Sequence, residues 1–265
     1  MGIAVFVVVA ALYAIASGLY LAFAARGSTL AARWGAITLG VAATTHVVWL
    51  GYELVRAGRL ELDIEGALAI TSLLVTIVYL IALRRGRLQV LGAFVGPITL
   101  SLFLGAGVSH EVGAVPAGAR SVLIWTHVSA NVIGIAAFAL AFGTAVAYVI
   151  QERLLREKKV SGLFQRLPPL DTLDALSFRF VVVGFGLFTV GVVTGSFFAV
   201  RHAGLAEIDV ARVVGILAWL CFATVLALRL VAGWRGRRAA IGAMLGFVCA
   251  VVVLIGYALR EGGAT

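Results

Sequence analysis

Charge is scarce in this 265-residue chain: Asp, Glu, Lys and Arg make up 12% of it, against roughly 25% in a soluble domain. That shortage excludes a water-soluble core with a polar shell, because too few polar residues remain to make a surface. Proline and cysteine are scarce as well, with four and two residues. The cysteines, Cys221 and Cys249, lie in separate apolar stretches outside any Cys-x-x-Cys pair, which leaves a disulfide framework or thiol relay without support. Both read as small buried hydrophobes. What the chain has instead is apolar sequence: 62% hydrophobic residues and a mean hydropathy of +1.10. Lipid must replace water around most of it.

A membrane helix needs about 20 apolar residues. Eight such stretches occur, near residues 3–24, 34–55, 66–83, 88–107, 121–150, 178–200, 211–231 and 239–258. The expected fold is all-α: a single polytopic integral membrane bundle of about eight transmembrane helices filling 1–265. The stretch from Met1 to Ala25 lacks a basic leader and is long enough to span, so it reads as a retained first span.

The net charge of +9 does not mark a nucleic-acid binder, because the basic residues sit in short clusters between apolar stretches. Fifteen of the 21 Lys and Arg fall in the odd-numbered connections. These are Arg26 and Arg33 in the first, Arg84, Arg85 and Arg87 in the third, and Arg229, Arg235, Arg237 and Arg238 in the seventh. The fifth, Gln151 to Arg179, adds Arg153, Arg156, Lys158, Lys159, Arg166 and Arg179. The positive-inside rule then puts odd connections in the cytoplasm and both termini on the non-cytoplasmic side. Past residue 150 the run Gln151-Glu152-Arg153-Leu154-Leu155-Arg156 extends the fifth helix beyond the membrane, and Pro168-Pro169 ends any helix there. Glycines four apart at Gly92/Gly96, Gly191/Gly195 and Gly242/Gly246 allow close helix packing.

Ionisable side chains inside a span are costly and mark function by default. Here they are His46 in the second span and His127 in the fifth. At 1.5 Å per residue His46 lies about 13 Å from the outer end of its span and His127 about 9 Å, a matched depth. His110 and His202 fall in external connections and are weaker candidate ligands, which a loop could bring to the iron or leave in water. Neutral imidazoles in an apolar bundle without intramembrane carboxylates suit axial ligation of haem iron better than zinc hydrolysis or proton pumping. A hydrogen bond between helices is the plainer alternative for each. Asn131, one turn after His127, is placed to orient or satisfy that ring. Trp49 and Trp125 are candidate walls for a flat porphyrin, or, with Tyr52, part of an interfacial aromatic belt. Asp209 with Arg201 and Arg212 is either a propionate contact or a solvated loop cluster. No nucleophile and base pair, phosphate loop or metal-hydrolase spacing appears, so no enzyme activity is expected.

Longer motifs add to this. Ile124-Trp125-Thr126-His127-Val128-Ser129, Ile150-Gln151-Glu152-Arg153 and Leu167-Pro168-Pro169-Leu170 with Asp174 resemble the central region of one membrane family. It is the cytochrome c assembly and haem-handling family that includes the CcsA and HemX proteins. Phe178-Arg179, Gly184-Phe185, Thr189-Val190-Gly191, Thr194-Gly195, Trp219, Gly233-Trp234-Arg235-Gly236-Arg237-Arg238-Ala239-Ala240 and Gly246-Phe247 look like its C-terminal half. The resemblance implies eight spans with external termini and haem, taken as b-type, held by histidines, with His127 matching an external ligand and His46 the first membrane histidine. Departures from the family's exporters are plain. Val200 to Arg212 contains no Trp and keeps only Asp209, Ala227 stands where a membrane histidine is expected, and Gly256 to Glu261 contains no histidine. The HemX-like branch fits better, which implies haem handling, cytochrome c biogenesis or control of tetrapyrrole synthesis in a bacterial inner (cytoplasmic) membrane. Implied partners are membrane lipid and either a cytochrome c biogenesis subunit or a cytoplasmic tetrapyrrole-synthesis enzyme docking on Gln151 to Arg179. The alternatives are a haem exporter with a partner subunit and a non-haem scaffold whose histidines are structural.

Overall fold

The structure is a computed structural model that describes residues 3–57, 64–84, 88–108, 122–159, 161–203 and 210–262. Helices account for nearly all of them: α1 (Ile3–Arg26), α2 (Thr29–Ala57), α3 (Ile64–Leu83), α4 (Gly92–Val108), α5 (Val122–Arg156), a short α6 (Leu163–Arg166), α7 (Leu170–Ala203), α8 (Val210–Leu230) and α9 (Arg237–Gly262). A 3-10 turn, Gln89–Leu91, leads into α4. Among the described residues six helices, α1 to α5 and α7, are long and apolar enough to cross a membrane. Their outward faces carry large apolar side chains, among them Val7, Val48 and Val193. In a backbone that satisfies its hydrogen bonds within helices, such faces suit hydrocarbon. The chain is a polytopic membrane protein.

The helices form two groups joined by α5. Among the described residues α1 packs on α2 and α4, α3 on α4, and α5 joins this group to α7, α8 and α9 through contacts with α3, α4, α7 and α9. One buried cluster runs through both groups, from Val9 and Tyr13 to Phe222 and Phe247. At its centre the Phe138 and Phe222 rings stack at 3.5 Å, and Phe188 meets both edge-on. Glycines make room for these rings: a Cβ at Gly184 would lie 2.7 Å from Phe138, and one at Gly246 2.7 Å from Phe222. The three glycine pairs read from the sequence all sit at helix contacts, Gly92 against Tyr20 and Tyr79, Gly96 against Ser17, Gly191 and Gly195 against α5, and Gly242 and Gly246 against α8.

Three local readings change. The first connection is shorter than expected, because Gly27 adopts φ +74° and Ser28 accepts a bond from Ala31 N at 3.2 Å. A left-handed glycine followed by an N-cap turns the chain in two residues. The sixth long helix begins at Leu170 rather than near 178, since Pro169 O takes the amides of Thr172 and Leu173 and proline suits a helix start. Its polar first turns bury Leu173 and Ser177. Cys249 is exposed and Cys221 half-buried, with their sulfurs 3.9 Å apart; a thiol is apolar enough to face lipid.

Two clasps gather the first, fifth and seventh connections at one end. Arg166 donates to the carbonyls of Phe23 at 3.3 Å and Ala24 at 2.6 Å, capping the C-terminus of α1. Arg229 pairs both nitrogens with Asp174, at 2.9 and 2.7 Å, and Asp174 Oδ1 also accepts from Gly236 N at 3.2 Å. That ties the start of α7 to the α8–α9 turn.

Candidate functional site

His46 sits in α2 with no exposed surface, in a pocket formed by α1 and α4. Phe103 meets its ring edge-on at a centroid distance of 4.8 Å, and Trp49, one turn on, lies at 5.7 Å. The two ring nitrogens differ. Nδ1 is 3.1 Å from the Tyr13 hydroxyl. Nε2 is buried and has no hydrogen-bond partner among the described residues, and the same holds for Trp49 Nε1. A buried polar atom left unmade costs about 1–3 kcal/mol, and these two belong to neighbouring rings. An imidazole with Nδ1 anchored by a hydrogen bond and a free Nε2 is the usual arrangement of a histidine that binds a metal. The residues therefore fit an axial haem ligand at this position.

His127 sits in the second turn of α5 and faces α7. Its Nδ1 is 2.7 Å from Gly191 O. A carbonyl only accepts, so Nδ1 carries the proton. Asn131 Nδ2 donates to His127 O at 2.8 Å and lies 3.3 Å from both ring nitrogens. With Nδ1 already donating, the second amide proton has Nε2 as its only acceptor on the ring. The ring rests on Gly195, where a Cβ would come within 2.5 Å of Cε1, and Asn131 rests on Gly191. This histidine thus has both nitrogens engaged, in a tie between helices, while His46 has one engaged.

The structure places the two imidazoles in different interfaces, His46 among α1, α2 and α4 and His127 between α5 and α7. Trp49 is buried against His46, whereas Trp125 and Tyr52 are exposed. His110 and Asp209 lie outside the described residues, and for His202, Arg201 and Arg212 only the backbone is described. Sequence reasoning missed Tyr13. An aromatic in an apolar first span carries no signal of its own; a hydroxyl one residue type away from phenylalanine, at the depth of a membrane histidine, was the available clue.

Residues 61–262 match the model of the family described as cytochrome C assembly protein; His127 falls inside that range and His46 before it. Among curated relatives, the cytochrome c biogenesis protein CcsA of Crocosphaera subtropica is 33% identical over 122 residues, covering 46% of this chain and 36% of that protein. The protein of the same name from Gloeothece citriformis is 38% identical over 100 residues, 37% and 30% of the two chains. That from Rippkaea orientalis is 34% identical over 122 residues, 46% and 36%. The alignments thus span about a third of these relatives' own length. No solved structure matches. With the family model covering most of its length, the chain belongs to the cytochrome c assembly protein family.

Proposed function

We propose that the protein is a haem-binding member of its family, of the HemX-like branch, with its principal ligand at His46. The observation that carries this reading is the buried, unpartnered Nε2 of His46 beside the unpartnered Nε1 of Trp49. Haem iron is a Lewis acid that accepts a neutral imidazole nitrogen, and we take the haem as b-type. His46 would supply Nε2, Trp49 and Phe103 would bound the ring, and Trp49 Nε1 would donate to an acceptor on the bound group. His127, with Asn131 and Trp125, is the second candidate position nearer the outer end. The protein acts in cytochrome c assembly or haem handling, with no turnover chemistry of its own. It crosses a bacterial cytoplasmic membrane eight times with both termini outside. Its cytoplasmic end, Gln151 to Arg179, faces anionic lipid or a partner of the pathway.

A second reading has its own support. The 2.7 Å bond from His127 Nδ1 to Gly191 O is what a structural histidine makes across a helix interface, so His127 serves as a tie and His46 alone binds. Absorption spectra of the detergent-purified protein, oxidised and reduced, separate the two. His46→Ala is expected to lose the Soret band. Loss in His127→Ala as well, in a folded protein, would make both histidines ligands, and retention would make His127 a tie. A wild-type protein that stays colourless through haem titration would overturn the haem reading.

A further inference from the structure

The two cysteines of the chain, 28 positions apart, meet between α8 and α9, where their sulfurs lie 3.9 Å from one another. Glycines bring them there. A Cβ at Gly242 would lie 3.2 Å from Val225, and one at Gly246 2.7 Å from Phe222, so the missing side chains let α9 approach α8 closely along this row. Cys249, a turn beyond Gly246, and Cys221, next to Phe222, continue the row. A disulfide brings its sulfurs to about 2.0 Å, and rotation of the two side chains about their Cα–Cβ bonds covers a gap of that size without moving the helices.

The surroundings select the chemistry. Cys249 is exposed and Cys221 half-buried, and the exposed side chains along the same two helices are apolar, among them Leu217, Leu220, Leu245, Val248 and Val252. No charged residue or histidine stands between Arg212 and Arg229 in α8, or between Arg238 and Arg260 in α9. Of the other helices packed on these two, α7 has none between Arg179 and Arg201, and α5 has only His127 between Val122 and Gln151. A thiol ionises readily beside a cation or a base. Without either, both thiols stay protonated, and the thiolate exchange that water-soluble disulfides and thiols depend on is closed to them. In the eight-span arrangement proposed above the pair also lies deep. At about 1.5 Å per residue, Cys221 is about 13 Å from the Leu230 end of α8 and Cys249 about 18 Å from the Arg237 end of α9, near the middle of a hydrocarbon layer about 30 Å thick. A reagent that reaches them there is one dissolved in lipid.

We propose that Cys221 and Cys249 form a redox site, which a lipid-soluble two-electron oxidant of the quinone class converts to an intramolecular disulfide. Two S–H bonds break and one S–S bond forms, while two electrons and two protons pass to the quinone, which becomes the quinol. The bridge ties α8 to α9 near mid-length and records the oxidation state of the membrane rather than that of the water on either side. The pairing stands on the geometry; the restriction to oxidants dissolved in lipid rests on the eight-span reading.

The test uses the full chain, reduced and reconstituted in lipid vesicles without oxygen, then exposed either to decylubiquinone or to oxidised glutathione. After acid quenching and denaturation, free thiols are capped with N-ethylmaleimide and the intact mass is read. Decylubiquinone is expected to give a chain without adducts, lighter than the reduced chain by two hydrogens, about 2 Da, with one quinol formed for each disulfide. Oxidised glutathione is expected to leave two adducts. Cys221→Ala and Cys249→Ala are each expected to retain a single adduct and to yield no quinol. Two adducts after decylubiquinone, or disulfide-linked dimers in place of the mass loss, overturn the proposal. Oxidation by glutathione as fast as by the quinone overturns the restriction to lipid and the eight-span placement of α8 and α9, while the pairing itself stands.

Discussion

At the scale of single residues, the two histidines have unlike neighbours: the Tyr13 hydroxyl and the Trp49 and Phe103 rings for His46, and glycine backbone for His127. The Gly195 site has room for the His127 ring only because it lacks a Cβ. Gly195→Val is expected to push the ring off Gly191 O and cost about 1–3 kcal/mol through overpacking, read as a lower melting temperature. Trp49→Phe should cost less than an ordinary large-to-small change in the core. It removes a buried donor that has no partner, which offsets part of the packing lost with the larger ring, so the haem-free protein is expected to melt close to the wild type, while haem affinity falls if Nε1 donates to the bound group. A loss above about 3 kcal/mol without haem would mean that Trp49 Nε1 has a partner after all. His46 and His127 were legible in the sequence because an ionisable group inside an apolar span stands out. Tyr13 was not, because its contact with His46 exists only where α1 and α2 meet, and a separation of 33 residues carries no periodic signal.

Among elements, the α7–α8–α9 junction is held by one ion pair rather than by packing alone. Arg229 and Asp174 are 13% and 20% exposed, and the guanidinium also lies over the Phe178 ring, 4.4 Å from its centroid. A bidentate pair with a third donor from Gly236 N is geometrically demanding. Removing one partner of a buried pair costs about 3–5 kcal/mol, and the partial exposure here puts Arg229→Ala near the lower figure. Arg229→Lys is expected to recover only part of it, because an ammonium lacks the guanidinium fork. Limited proteolysis of the turn between Leu230 and Arg237, together with the melting temperature, measures both variants. Equal loss in the Lys and Ala variants would show that only the fork matters, and no loss in either would remove the clasp from the account. The residues of this junction were visible beforehand as motifs, Asp174 after the two prolines and Gly233 to Arg238, but not as partners. Nothing local links positions 55 and 62 residues apart; the pairing follows from the way α7 and α8 return to one end. The hydropathy pattern, by contrast, marked the helices well and their ends poorly. Apolar runs report where lipid lies, while Gly27, Ser28 and Pro169 decide where helices turn and begin.

Over the whole molecule, the question is which end faces which compartment. The clasps join the first connection to the fifth, through Arg166 and α1, and the fifth region to the seventh, through Asp174 and Gly236. Those connections carry most of the positive charge, so one end of the bundle is basic and the histidine sites lie toward the other. In the eight-span arrangement proposed above, retention of Lys and Arg on the cytoplasmic face would orient every helix at once and return both termini to the opposite side. Single cysteines introduced at Ser28, Ser161 and Trp234, in a chain with Cys221 and Cys249 replaced by alanine, put this to the test with a membrane-impermeant maleimide. All three are expected to stay unlabelled in intact cells and to react once the membrane is opened. Because the clasps hold these sites at one end, they must respond together. Labelling of all three in intact cells would invert the bundle and place His46 and His127 toward the cytoplasm, where haem would meet them before crossing. A split result would mean that at least one of α2 to α8 does not span, and the inversion point would identify it.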